Sequence, residues 1–234
     1  NGVGIKAVNA LSSSFVIRSF RDSQLKEIEF RCGELVRDEP LRKTEEENGT
    51  EVIFVPDEAM FGNFHYIAEY VESMMKNYSY LNAGMIINLN GNKIVSRNGL
   101  VDLLNDNMNC EGLYPIIHLK GDDIEVAMTH GTQYGEDYYS FVNGQHTSQG
   151  GTHLIAFREA ITRTVKEFFK KDFDVSDIRS SIIAAVSVKI EEPIFESQTK
   201  TKLGSKDIGP NGPSVRNYVV VFIHKHLDDY LHKH

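Results

Sequence analysis

The chain predicts an α+β fold, on three observations. Strand-like apolar runs occupy Phe15–Arg21, Val52–Val55, Ile116–Leu119, Asp123–Met128 and Ile182–Ile190. Apolar residues three and four apart mark helices over 64–81, 154–168 and 214–232. The pattern then changes near Asn109–Gly112, which divides the chain into an earlier and a later domain.

The totals set the frame. At 234 residues there is room for one large domain or two small ones. A hydrophobic content of 41% and a charged content of 25% are those of a water-soluble globular protein. No window approaches the ~18 apolar residues of a membrane span, and no signal peptide opens the chain. No membrane partner and a cytoplasmic location are therefore expected. Cys32 and Cys110 do not make a disulfide framework or a metal spacing, which agrees with a reducing compartment. The net charge of −8 argues against coating nucleic acid by charge alone, and leaves room for DNA contact through a local basic patch. The chain opens inside a motif, Asn1-Gly2-Val3-Gly4, without Met, and reads as a fragment.

In order, Gly2-Val3-Gly4-Ile5 runs into an apolar helical stripe of Ala7, Val8, Ala10 and Leu11. Glycines just ahead of a helix let backbone donors approach a phosphate at its positive end, although Gly-x-Gly alone is also a plain turn. Phe15–Arg21 is a strand with a hairpin partner over Lys26–Val36, across Arg21-Asp22-Ser23. The charged stretch Arg37–Asn48 reads as a solvated loop. Gly49-Thr50 opens a further strand. Over 64–81 the stripe of Ile67, Tyr70, Val71, Met74, Met75, Tyr78 and Leu81 reads as core packing. Gly84 ends that helix, and Asn90-Gly91-Asn92 turns a hairpin between Met85–Leu89 and Lys93–Ser96. Tyr138–Asn143 reads as a strand. Gly150-Gly151 permits a tight turn, with Thr152 as the N-cap of the helix that follows. His153 reads as a satisfied structural histidine. Phe173–Arg179 is a polar link.

Ile182–Ile190 is nearly continuous in apolar residues, the mark of a strand buried on both faces. Pro193 stops its ladder. A polar segment with Lys200, Lys202 and Lys206 follows. A buried strand that hands the chain to a basic loop is a rigid mount for a cation, and lysine suits phosphate as a point charge on a long stem. The alternative is a solvated surface loop. The final helix, 214–232, carries His224, His226 and His232, with His234 beyond it; their helical spacing disfavours a metal site.

The run Val186-Ser187-Val188-Lys189-Ile190-Glu191-Glu192-Pro193, then Phe195, Gln198, Thr199, Lys200, Lys202 and Leu203, resembles the Q-T-K segment of the B subunits of type IIA DNA topoisomerases, DNA gyrase and topoisomerase IV. Glu191-Glu192 stand where that family usually has Pro-Asp. Asn1–Ser12 resembles the second glycine motif of GHKL-type ATPases, with Asn1 at the usual His position, which leans toward topoisomerase IV. Ser140–His153 resembles the family's F-x-N…G-G-T-H signature. Ser180-Ser181 replace the family's Glu-Gly.

The resemblance covers essentially the whole chain. It implies the C-terminal part of a GHKL-type ATPase α/β sandwich (1–110), a transducer domain of the ribosomal-protein-S5 domain-2-like fold (111–213) and an exit helix (214–234). It implies that Gly2, Val3 and Gly4, with Asn1, contact the triphosphate of ATP, that Thr50 helps hold adenine, and that Arg21 borders the nucleotide pocket. Lys200 would reach the γ-phosphate, and Gln198 would support its loop. ATP and Mg belong to the intact subunit, the Mg ligands lying outside this chain; no metal ligand is assigned here. DNA, a topoisomerase A subunit and a second B subunit, joined through an N-terminal arm, are the implied partners. The fragment alone is expected neither to bind ATP tightly nor to hydrolyse it. Two other readings stay open: a sensor or interaction module without ATPase coupling, and a MutL-type ATPase.

Overall fold

The computed structural model describes residues 2–234. Its contacts divide it into two compact units, Asn1–Ala68 and Glu69–His234.

In the first unit, helix α1 (Val3–Ala10) runs into strands β1 (Ser12–Arg21), β2 (Gln24–Arg31), β3 (Glu34–Asp38), β4 (Arg42–Lys43) and β5 (Gly49–Pro56), then a single turn, α2 (Glu58–Phe61). The antiparallel sheet has the order β3-β2-β1-β5, with β4 also paired to β2. Asp22 and Ser23, at φ 50° and 63°, join β1 to β2. Two successive left-handed residues match the twist of a hairpin. The expected partner strand over 26–36 is in fact two strands, because Cys32 and Gly33 make a second turn of the same kind, at φ 50° and 84°. The expected loop over 37–48 is likewise part strand. Arg37 lies in β3 and reaches Glu27, Glu29 and Glu39 at 2.7, 3.1 and 3.1 Å. Charges that read as a solvated loop instead pair across strands.

Register decides the two faces of this sheet. Phe15 lies opposite Phe30 and Phe54, and Ile17 opposite Ile28 and Val52. The aromatic centroids are 6.4 and 6.5 Å apart. One residue on, Arg18 on the other face bonds Glu27 at 2.9 Å and Glu51 at 3.1 Å. Over the middle of β1 the two faces therefore differ, with an aromatic and aliphatic row around Phe15 and Ile17 on one and the Arg18 ion pairs beside Val16 and Ile53 on the other.

The second unit holds α3 (Ala68–Leu81), the hairpin β6 (Ile87–Leu89) and β7 (Asn92–Ile94), α4 (Leu100–Asn107), β8 (Ile117–Lys120), β9 (Ile124–His130), β10 (Asp137–Val142), β11 (Gln145–His146), α5 (Thr152–Phe169), α6 (Val175–Arg179), β12 (Ile182–Val188) and α7 (Val215–Lys233). Its main sheet runs β11-β10-β12-β9-β8. Central β12 is parallel to β10 and antiparallel to β9. Six of the seven β12 residues are buried. Ile182, Ala184, Val186 and Val188 face the packed helices α5 and α7, while Ile183 and Ala185 face Leu100, Leu103 and Leu104 of α4 and Tyr80 of α3. Both faces are covered, which is why the run needs no alternation.

Contacts thus divide the chain at the first residue of α3, whereas the sequence pattern changes at 109–112. The helix expected over 64–81 starts at Ala68, and its stripe is core only in part: Ile67, Tyr70 and Met74 are 55%, 69% and 54% exposed, while Val71, Met75 and Tyr78 are half-buried and Leu81 packs against the cluster around Leu103. The period identifies an apolar face without supplying what covers it. The polar link at 173–179 contains α6. Among the described residues no helix is long and apolar enough to cross a membrane.

Candidate functional site

Beyond β12 the chain is held by a side chain that imitates a strand. Asn143 donates from Nδ2 to the Ile190 carbonyl and accepts from the Ile190 amide, both at 2.8 Å. After Pro193 the chain doubles back on itself. Phe195 bridges Leu203, the Glu196 amide donates to the Lys202 carbonyl at 3.0 Å, and the Gly204 amide to the Ile194 carbonyl at 2.8 Å. At the tip, the Lys200 amide donates to the Ser197 carbonyl at 3.1 Å, closing a four-residue turn with Gln198 and Thr199 at its corners. Lys200 takes a left-handed φ of 57°. The sequence places three lysines here, and their settings differ. Lys202 pairs with Glu196 at 3.2 Å. Lys206 is exposed behind the hairpin, its carbonyl accepting from Val215. Lys200 is exposed at the tip and in no ion pair among the described residues.

The base of this hairpin is seated on the turn that precedes α5. The Gln149 amide donates to the Thr201 carbonyl at 2.9 Å, Leu203 to Gly150 at 3.1 Å and Thr152 to Leu203 at 3.2 Å. The Leu203 side chain is buried in the α5–α7 core. Gly151 has a φ of 133°, and a Cβ there would lie 2.4 Å from the Leu203 carbonyl oxygen, so only glycine permits the approach. The expected N-cap role of Thr152 is corrected: Gly151 occupies the cap, Thr152 is the first helical residue, and its hydroxyl donates to the Ser205 carbonyl at 2.7 Å. The hairpin claims the hydroxyl that would otherwise cap the helix.

His153 is fully buried beneath the turn, its Nε2 3.1 Å from Thr147 Oγ1. Burial pushes its pKa down to about 4, so the ring is neutral at ordinary pH. It is structural, as expected, with one nitrogen unsatisfied: Nδ1 has no partner among the described residues. Thr147 is visible as a position of the G-G-T-H resemblance, whereas Gln149 and Ser205 carry no local sequence signal. Leu203 gives the one available, an apolar residue alone among charged neighbours.

The other candidates belong to the first unit. Gly2 stands at the N-cap of α1 with φ 74° and no side-chain cap, leaving the first-turn amides of Val3 and Gly4 open to an anion. Asn1 lies outside the described residues. Thr50 sits opposite Ser19 in β1, on the same face as Phe15 and Ile17. Arg21 is on that face too, two residues further along β1, and its side chain is 85% exposed. Thr50 and Arg21 thus share one end of the β1–β5 pair, while Gly2–Gly4 lie at the end of α1 remote from its junction with β1. Lys200 and Gln198 belong to the second unit. No group of three or more His, Cys, Asp or Glu among the described residues can hold a metal ion. The α7 histidines make pairwise contacts instead, His224 with Glu167 and His232 with Asp228, each at 3.4 Å.

A family model for DNA gyrase B matches residues 66–234. The B subunit of DNA topoisomerase 4 from Borreliella burgdorferi is 44% identical over 206 residues, covering 88% of this chain and 34% of that protein. The B subunit of DNA gyrase from Cytophaga aurantiaca is 32% identical over 237 residues, covering 89% of this chain and 49% of that protein. The chain therefore spans between a third and a half of the length of these relatives. Among solved structures, the 43K ATPase domain of Thermus thermophilus gyrase B, in complex with an aminocoumarin, superposes with a TM-score of 0.77 at 26% identity, covering 100% of this chain and 67% of that one.

Proposed function

This chain belongs to the DNA gyrase B family, and on that premise we propose that it is the energy-coupling part of an ATP-hydrolysing type II DNA topoisomerase subunit. In this reading residues 1–110 complete a nucleotide-binding domain, 111–213 form the transducer, and 214–234 lead toward the DNA-cleaving parts. Partners are DNA, an A subunit and a second B subunit, in the cytoplasm. Gly2, Val3 and Gly4, with Asn1, offer main-chain donors to the phosphates of ATP, Thr50 holds adenine and Arg21 borders the pocket. Lys200 brings a positive charge to the terminal phosphate, and Gln198 shapes its turn. A positioned lysine stabilises the charge on a phosphoryl group in transfer. It also senses the nucleotide: once the terminal phosphate leaves, the lysine loses its partner and the segment it holds is released. The metal ion that such a reaction uses is not accounted for by the described residues.

The observation that carries this reading is the setting of Lys200, an exposed lysine in no ion pair among the described residues, on a hairpin whose base is anchored in a core. A solvated loop has no need of a buried Leu203 or of a glycine that admits it. Lys200→Ala in the intact subunit tests it. ATP-dependent strand passage is expected to be lost while the circular dichroism and melting temperature stay as they were. Unchanged strand passage would return the hairpin to the status of a structural or interaction element.

A further inference from the structure

We propose that the Thr147–Thr152 turn is the positioning element for Lys200, and that Thr147, held between Ser140 and His153, sets its shape. This rests on the reading of Lys200 as the phosphate-facing cation. The hairpin's internal bonds link its own two arms, and its tip is exposed, so its direction is decided by what grips its base. That grip is the series of bonds from Gln149, Gly150 and Thr152 to Thr201, Leu203 and Ser205, closed by the Gly151–Leu203 contact.

Thr147 is the residue on which the turn hangs. Its amide donates to the Ser140 carbonyl and its carbonyl accepts from the Gly150 amide, each at 2.8 Å. Its side chain completes a directed chain. With Ser140 Oγ donating to the Thr147 carbonyl at 2.8 Å, Ser140 Oγ is assigned as the acceptor of the Thr147 hydroxyl at 2.7 Å. Thr147 Oγ1 is then free to accept only from His153 Nε2–H, at 3.1 Å. This assignment of donors puts the proton on Nε2, and Nδ1 has no partner among the described residues. All three residues are buried. The network ties strand β10 to the first turn of α5, and the Thr147–Gly150 turn is fixed between them. Gly150 passes that position to Leu203, three residues from Lys200.

Thr147→Val keeps the shape and removes the hydroxyl; Thr147→Ser keeps the hydroxyl. In the 1–234 chain, hydrogen exchange at the Gln149, Lys200 and Leu203 amides is expected to rise about tenfold in the valine variant, the effect of one lost buried hydrogen bond, and to return in the serine variant. In the intact subunit the same pair is read by ATP hydrolysis, with kcat falling about tenfold in the valine variant and recovering with serine, as expected when the phosphate-facing cation is less well placed. Unaltered exchange in Thr147→Val overturns the proposal. So does faster exchange with unaltered kcat, provided Lys200→Ala abolishes hydrolysis; if Lys200→Ala is also silent, the reading of Lys200 itself has failed. Should Thr147→Val lose protection across β12 as well, Thr152→Val decides, since it removes only the tether to Ser205. Unchanged exchange at Lys200 and Leu203 in that variant overturns the proposal.

Discussion

The two sheets of this chain are built from similar residues and end in opposite conditions. Strand β5 reads Val52-Ile53-Phe54-Val55 at its centre, yet seven of its eight positions are exposed. Strand β12 is hardly more apolar, and six of its seven positions are buried. The difference is not in the strands. β12 is central in its sheet and has helices against both faces, whereas β5 is an edge strand of the first sheet, whose helical cover is the eight-residue α1 and the single turn of α2. In the first unit the apolar row of Phe15, Phe30 and Phe54 buries Phe15 fully and leaves Phe54 37% exposed. A sheet acquires a core from the layer laid over it, not from its own composition.

Truncating one aromatic in each unit is the strongest way to break this contrast. Phe157 of α5 is wholly buried against β12, and Phe157→Ala is expected to cost about 3–5 kcal/mol, the range for emptying a packed aromatic site. Phe54→Ala removes the same group from a half-covered face, and about 1 kcal/mol is expected. Denaturant unfolding of the two variants measures both. Comparable losses would mean that β5 is covered far better than its exposure states.

The same contrast explains what can be read from sequence. The second sheet is legible because β12 is continuous in apolar residues, and such a run has few uses other than a doubly covered strand. The apolar helix over 68–81 is legible as a helix, but Tyr70 and Met74 look like core and are not, since periodicity says which face is apolar and nothing about its cover. The Cys32-Gly33 turn is hidden because only one of its two left-handed residues is glycine. Ser181 shows the converse. It stands at the family's glycine, keeps the left-handed backbone at φ 64°, and donates its hydroxyl to the Gln133 carbonyl at 2.6 Å. At the candidate site the Q-T-K and G-G-T-H segments are each visible as resemblances. Their union is not. Thr152 bonds a carbonyl 53 positions away, and no local pattern reports a contact at that separation.

A pH titration sharpens the contrast from the covered side. His153 is buried with its pKa lowered from 6.5 to about 4. Its neutral form is the one the fold prefers, so the contribution is complete above pH 6.5, declines as the unfolded chain takes up the proton between 6.5 and 4, and levels off below. The drop amounts to about 3 kcal/mol in the limit. Glu136 and Asp102, whose pKa values are lowered because hydrogen bonds together outweigh burial, also lose stability on acidification. The diagnostic is therefore a difference: the stability of His153→Gln should fall less steeply than that of the parent between pH 6.5 and 4. Parallel slopes would show that the ring titrates as it does in water, and that the cover over the G-G-T-H turn is loose.

The smallest expected change in stability lies on β5 and separates two causes of an unfinished surface. Ile53 is on the charged face, beside the Arg18–Glu51 pair, and 51% exposed. Ile53→Lys therefore removes little buried area and adds a cation near Glu51, so stability should move by no more than about 0.5 kcal/mol. Its effect on association should be larger. An edge strand presents unpaired backbone groups to any other strand, and a lysine on the edge is an effective deterrent to such pairing. If self-association of the chain, measured by sedimentation, falls with Ile53→Lys, the open edge is the adhesive feature of the first unit. If it falls only with Val52→Lys, on the opposite face, the uncovered aromatic row is responsible, and the missing layer rather than the missing strand is what distinguishes the first sheet from the second.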